Sequence, residues 1–353
     1  MAVTSSAPAI GQQTKVLTAD KHNEYGLVYT LPKTALRIEV TATREVRKAG
    51  PYYQYAKKYV GTDKVVKDDA EIWTIGSVSV APYGVPDTST RYLMQLKPGA
   101  TTFIGVADDG MLLSINTDPA DIPEFKSSTP GGMEGEKLAD KEYLQYVDED
   151  FIASQSSAKQ AQMLAESLME IRDAKLSLTR GTADQMPTDG KQLELMLNSL
   201  SHQEAAITAA FLGNITKETV VKSYTYLPEE DGRTVLFRLS DFGGFVEPDD
   251  FSGEPVYINV SLTEEGSLPV DAKGETKKVP KDAVAYTIPG SAKITLTYKG
   301  KTLFSEDYDM AQFGVVFGLN PLLFSDKKAP SYAVFDPATG GLKEIGALKD
   351  TQE

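Results

Sequence analysis

Short runs of alternating apolar and polar residues, split by turn residues, fill the chain from Tyr25 to Thr117, and those over residues 36–46, 72–80, 92–96, 102–106 and 112–115 predict strands. Asp108-Asp109-Gly110 between the last two predicts a hairpin, because Asp and Gly tolerate the positive φ of a tight turn. The stretch from Gly50 to Tyr59 reads as a loop followed by a helical turn or two. Residues 118–140, with their Pro, Gly and Ser-Ser-Thr, predict a linker that is mobile or wraps a surface.

The period then changes from two to 3.6. Leu164, Leu168, Ile171 and Leu178 recur at helical spacing behind Ser157 and Gln160, a capping box, and Gly181 stops the run. A second helix opens at Asp189 with Gln192 three residues on. It sets Leu193, Leu197, Leu200, Ile207 and Phe211 on one stripe and ends at Gly213-Asn214. The short connection holding Pro187 predicts an antiparallel hairpin packed on a sheet.

Strand patterns return over residues 220–226, 234–239, 256–262, 292–298, 332–335 and 342–345. The expected class is α+β, mainly β, with two β-rich regions flanking the helical hairpin. In order these give a disordered leader over 1–22, a β region over 23–117, a linker over 118–150, the hairpin over 151–214, a second β region over 215–348 and a tail over 349–353.

Three collinear pairs suggest that the β regions are duplicated units: Tyr29-Thr30-Leu31-Pro32 with Tyr286-Thr287-Ile288-Pro289, Tyr53-Gln54-Tyr55-Ala56 with Tyr308-Asp309-Met310-Ala311, and the Asp108-Asp109-Gly110 turn with Asp336 to Gly340. Convergent turn chemistry explains the same matches and is the preferred reading. A duplication requires the same strand order after Pro32 and after Pro289.

Composition narrows the function classes. The 353 residues carry a formal charge of -14, which opposes association with nucleic acid and with anionic lipid. Without cysteine there are no thiolate zinc sites, disulfides or Cys nucleophiles, and with only His22 and His202 no nucleophile motif forms around histidine. No phosphate loop occurs, and no cofactor or metal is expected. The longest apolar run, 310–324, is broken by Gly and Pro and is too short to span a membrane. The start of the chain lacks a basic n-region and apolar core and reads as what remains after a signal is removed.

Two features carry candidate chemistry. Tyr52, Tyr53, Tyr55 and Tyr59, with Trp73 close behind, are amphipathic rings suited to stacking on a glycan or contacting a protein, but core and sheet-edge packing is the reading preferred for them. Glu204 interrupts the apolar stripe of the second helix, where an unpaired carboxylate is costly, so it reads as a structural residue bonded from helix to sheet. The carboxylate groups Asp68-Asp69, Asp148-Glu149-Asp150, Asp249-Asp250 and Asp307 with Asp309 read as solvated loops.

The stretches Tyr25 to Thr34, Ala49 to Ala56, Gly84-Val85-Pro86-Asp87, Met186 to Gly190, Gln203-Glu204 with Phe211-Leu212-Gly213, and Tyr286 to Gly290 with Ala311 to Gly314 resemble a domain-of-unknown-function family of exported proteins from Bacteroidota. The resemblance implies a secretion signal and a periplasmic or cell-surface location. It carries over no activity. The expected function is a non-catalytic envelope protein that binds a partner protein or glycan through a β surface. A secreted glycan hydrolase with an Asp/Glu pair and a scaffold subunit of an envelope complex are the alternatives.

Overall fold

The structure is a computed structural model and describes residues 26–94, 103–121, 125, 127–280, 283–325 and 330–348, with the backbone of 14–16. Most of the expected leader and all of the tail lie outside the described residues, but Thr14–Val16 forms a strand. Strand outweighs helix by 44% to 22%, which fixes the class as α+β, mainly β.

The strands are β1 (Thr14–Val16), β2 (Leu27–Tyr29), β3 (Pro32–Lys48), β4 (Ala70–Pro86), β5 (Tyr92–Met94), β6 (Ile104–Val106), β7 (Leu112–Ile115), β8 (Asn214–Tyr226), β9 (Gly232–Ser240), β10 (Gly244–Val246), β11 (Glu254–Glu264), β12 (Val284–Tyr298), β13 (Lys301–Leu319), β14 (Ser331–Phe335) and β15 (Leu342–Ala347). The helices are α1 (Ala56–Tyr59), α2 (Glu149–Ala153), α3 (Ser157–Arg180), α4 (Gly190–Leu212) and α5 (Leu322–Ser325). They make four sheets, ordered β1-β5-β2, β10-β9-β11-β12-β13, β15-β14-β7-β6 and β4-β3-β8.

Alternation on β3 sends Leu36, Ile38 and Val40 to one face, where all three are buried against Phe237, Val256, Ile258, Ile294 and Leu296 of the five-stranded sheet. This is a β-sandwich. A second core gathers Tyr29, Tyr92, Leu112, Val284, Tyr286 and Phe335 where both β regions meet. The third is helical: Leu164 and Leu168 of α3 close on Ile207 and Phe211 of α4, together with Tyr52, Tyr143 and Phe151.

The strands at the two prolines have similar neighbours. Each lies between the strand that follows it and a third antiparallel strand, giving β4-β3-β8 and β13-β12-β11, but the third strand differs in chain order: β8 comes from the second β region and follows β4, whereas β11 precedes β12. The segment before the proline bridges in parallel to a turn, Thr30 to Met111 and Thr287 to Gly341. The turns' hairpins, β6-β7 and β14-β15, then join in one sheet through β7 and β14. The middle sequence match has no counterpart, since Tyr53–Tyr55 is a 3-10 turn whereas Tyr308 to Ala311 lies inside β13.

The hairpin forms as expected but packs differently. Asp189 caps α4 by accepting from Gln192 N–H at 2.8 Å. For α3 the cap is Ser156, one residue before the expected Ser157, and the Gln160 side chain turns away to donate to the carbonyl oxygens of Phe151 and Ser154. Instead of lying on a sheet face, the hairpin packs on the β3-β4 crossover. The crossover closes the end of α4, with Tyr52 N–H donating to Ala210 O and Val66 N–H to Leu212 O.

The outer face of β4-β3-β8 is occupied by the linker. Glu39, 2% exposed, accepts from the Ser127 and Ser223 hydroxyls and the Ser128 N–H. Glu134 pairs with Lys217 at the edge of β8.

Candidate functional site

The structure separates the five aromatic residues singled out in the sequence. Tyr52 is 7% exposed and meets Tyr143, Phe151 and Phe211 at centroid distances of 6.0–6.3 Å, while its hydroxyl donates to Gln160 Oε1. Burial pushes this phenol up to about 12, and no face of the ring is open to a ligand. Tyr55 and Tyr59 are half-buried; the Tyr55 hydroxyl bonds Ser157 and Tyr59 tilts on Phe211. Tyr53 lines a cavity of about 410 Å³ with Lys48, Asp69 and Asn214. Tyr52, Tyr55 and Tyr59 serve the helical core.

Glu204 bonds within the hairpin rather than to a sheet, as its Oε1 accepts from Arg172 Nε at 2.7 Å and its Oε2 from Lys175 Nζ at 2.8 Å. The helices are aligned so that Glu204 of α4 faces Arg172 of α3. Beside it on α4, His202 lies between two linker carboxylates, with Glu136 at Nδ1 and Glu142 at Nε2. Donating its two ring N–H groups to the Glu136 and Glu142 carboxylates holds the imidazolium's pKa above its ordinary range.

Trp73 lies elsewhere, at a corner of the sandwich. Alternation along β4 turns it toward the five-stranded sheet, where Gly244, at φ +66, presses on the ring so closely that a Cβ there would sit 2.6 Å from two ring carbons. Phe245 meets the indole edge-on at 6.3 Å and passes the contact to Phe237 and Tyr224. Tyr224 and Phe237 are stacked at 4.7 Å, and the enclosed Tyr224 hydroxyl has no hydrogen-bond partner among the described residues. The indole N–H donates to Glu71, which also takes a forked pair of bonds from Arg44.

This anchored stack supports an exposed rim that sequence patterning missed. Both loops spring from the same end of β9. The turn into β10 carries Phe242, 91% exposed, and the loop from β10 to β11 carries Phe251, 83% exposed. The second loop is pinned, for Arg238 donates to Pro248 O and Gly253 O while its guanidinium lies 4.5 Å from the Phe251 ring centroid. The same two loops and their flanks carry Asp241, Glu247, Asp249, Asp250 and Glu254, all exposed, and the stretch from Asp241 to Glu254 holds no Lys or Arg. Asp250 accepts from Ser252 N–H, and that bond holds its carboxyl below the ordinary range. The signal available in sequence was a pair of phenylalanines set among Gly-Gly and Asp-Asp, where turn chemistry calls for polar residues.

Other carboxylates are engaged structurally. Asp69 accepts from Lys48 and Ala49 N–H, Asp148 caps α2, and Asp309 accepts from Ser291. Among the described residues no group of three or more His, Asp and Glu side chains is placed to hold a metal. No helix of the described residues is long and apolar enough to cross a membrane.

A family model described as Domain of unknown function (DUF4831) matches residues 25–343. No curated protein and no solved structure matches the chain.

Proposed function

The chain belongs to the DUF4831 family, whose function is unknown, and from that premise we propose that it is a non-catalytic binding protein of the cell envelope that engages a partner protein through the Trp73 corner of its β-sandwich. The single observation that carries this reading is the display of Phe242 and Phe251, each more than four-fifths exposed, on a loop pair fixed from below. Rings of this size bury roughly 150–250 Å² each when a partner covers them, and such residues dominate binding energy at interfaces. Fixing them in advance removes part of the ordering cost of association.

Two observations favour binding over hydrolysis and a protein over a glycan. A hydrolase acid needs a carboxyl held above its ordinary range, whereas the shifts found at Glu39, Glu45, Asp69, Glu71, Glu142, Glu204 and Asp250 all run downward. Sugar stacking needs an open ring face, and Trp73 is covered by Gly244 and one face of Phe251 by Arg238, which leaves Phe242 as the open ring of the three. The envelope setting draws on the exported proteins that the sequence resembles.

The test is affinity isolation from native envelopes with crosslinking, comparing the parent chain with Phe242→Ser/Phe251→Ser. The expected result is a protein crosslinked within residues 241–254 and lost from the variant. Release of envelope glycan fragments by the parent chain, undiminished in the variant, would overturn the reading.

A further inference from the structure

We infer that the partner at this corner presents a cationic protein surface around an apolar pocket that takes the Phe242 and Phe251 rings. The inference rests on the binding role proposed above and adds the chemistry of the partner.

Charge decides it. Five exposed carboxylates, Asp241, Glu247, Asp249, Asp250 and Glu254, share the 14-residue stretch that displays the two rings. The nearby cations are already committed: Arg238 to two loop carbonyls and the Phe251 ring, and Arg44 to Glu71. Lys299, in the β12-β13 turn, feels Asp241 and Glu254, and its ammonium is held above its ordinary range first by the Tyr298 hydroxyl. Arg238, Lys299 and Lys301, which pairs with Tyr298 in the same turn, stand against five carboxylates, and the corner stays net negative. A partner of the same sign meets repulsion on approach. With a formal charge of -14, a second copy of this chain is such a partner, as are anionic lipid and nucleic acid. A neutral glycan can donate hydroxyls to the carboxylates but gains nothing from their net charge.

Shape supplies the rest. Gly253 lies so close to the β9 backbone that a Cβ would approach Leu239 C at 2.8 Å and Ser240 N at 2.9 Å, and Asp250 closes its own turn through Ser252. The rings therefore stand on a stiff ledge as preformed knobs, and a surface with a matching hollow buries them without reordering the loops.

A random dodecapeptide display library selected on the full-length chain, with Phe242→Ser/Phe251→Ser for counter-selection, tests this. The selected peptides should be rich in Lys or Arg around at least one bulky apolar residue. Synthetic representatives should lose about tenfold or more in affinity on the Phe variant. On Asp249→Asn/Asp250→Asn the loss should fall in the association rate, with a shallower salt dependence. Enrichment of acidic or neutral peptides, equal binding to the Phe variant, or no enrichment at all would overturn the inference. A glycan array run in parallel separates the two claims: a glycan bound by the parent and lost from the Phe variant refutes a cationic protein partner while leaving the corner a binding site.

Discussion

Thr30 and Thr287 make the same hydrogen bond in the two β regions. Each donates its backbone N–H to the carbonyl of the glycine that ends the neighbouring hairpin turn, Gly110 at 2.9 Å and Gly340 at 3.1 Å. Both glycines have positive φ, +90 and +68, so an L side chain at either costs about 1–2 kcal/mol in backbone strain. The surroundings differ, because a Cβ at Gly110 meets nothing within 4 Å whereas one at Gly340 would sit 2.7 Å from Pro32 Cδ, a ring that cannot swing aside. Gly110→Ala should therefore lower the unfolding free energy by about 1–2 kcal/mol and Gly340→Ala by clearly more. Urea midpoints of the two variants measure the difference, and equal midpoints would refute the assigned contact.

Glu204 joins α3 to α4 through Arg172 and Lys175, with side chains 24%, 38% and 28% exposed. Partial exposure screens these pairs, so Glu204→Ala should cost only about 1 kcal/mol. Burial raises this carboxyl, but the bonds from Lys175 and Arg172 override it, and it titrates below its ordinary 4.5. Its support is present above pH 4.5 and disappears as pH falls through the lower folded value. Parent and Glu204→Ala stabilities should thus converge on acidification; a constant gap would argue against the ion pairs.

The His202 clasp has the opposite dependence. Its imidazole is held above the ordinary 6.5, so its stabilisation is complete below pH 6.5 and is lost as pH rises through the folded value. Glu142, held low by Ala139 N–H and then by His202, contributes above 4.5 and fades on acidification. Between these limits the clasp is strongest. His202→Gln should destabilise more at pH 5.5 than at pH 8.5 in paired denaturation curves, and a larger loss at pH 8.5 would contradict the assignment.

Glu39 is the peg on which the linker hangs. Desolvation raises its carboxyl, but the Ser127, Ser128 and Ser223 bonds outweigh that and keep it ionised. Glu39→Gln replaces one acceptor oxygen by a donor facing those groups, at a cost of about 1–3 kcal/mol. Hydrogen exchange should quicken at Ser128 and at the Glu134 and Lys217 amides before it changes at Leu36, Ile38 or Val40. Unchanged protection at Glu134 would mean that the linker is held by other contacts.

Local chemistry was readable in advance, and long-range docking was not. The Asp189 cap and the Gly181 stop each depend on residues within one turn of the chain, and both formed where expected. Glu204 was recognisable as an anomaly from its place in an apolar stripe, yet its partner depended on how far two helices slide, which spacing does not encode. His202 has its carboxylates 60 and 66 residues away. The tyrosines divided: core packing was the stronger reading of amphipathic rings, and the packing of α4 on the β3-β4 connection bears it out for Tyr52. Trp73 was noticed without its neighbours, since β4 reaches Gly244 and Phe245 only through a sandwich whose register shifts at the β3-β4 irregularity between Val40 and Ala42.

The Tyr29 hydroxyl bonds the backbone of Ala285 across 256 residues of chain. At the roughly 5–20 residues per second of ribosomal synthesis, that separation is on the order of 10–50 s. Throughout that interval β2 and β3 exist without the strands that complete their cores. The emerging chain is thus a long-lived nascent intermediate with its first apolar strands unsatisfied, and protecting them from wrong neighbours falls to whatever accompanies the chain until β12 arrives.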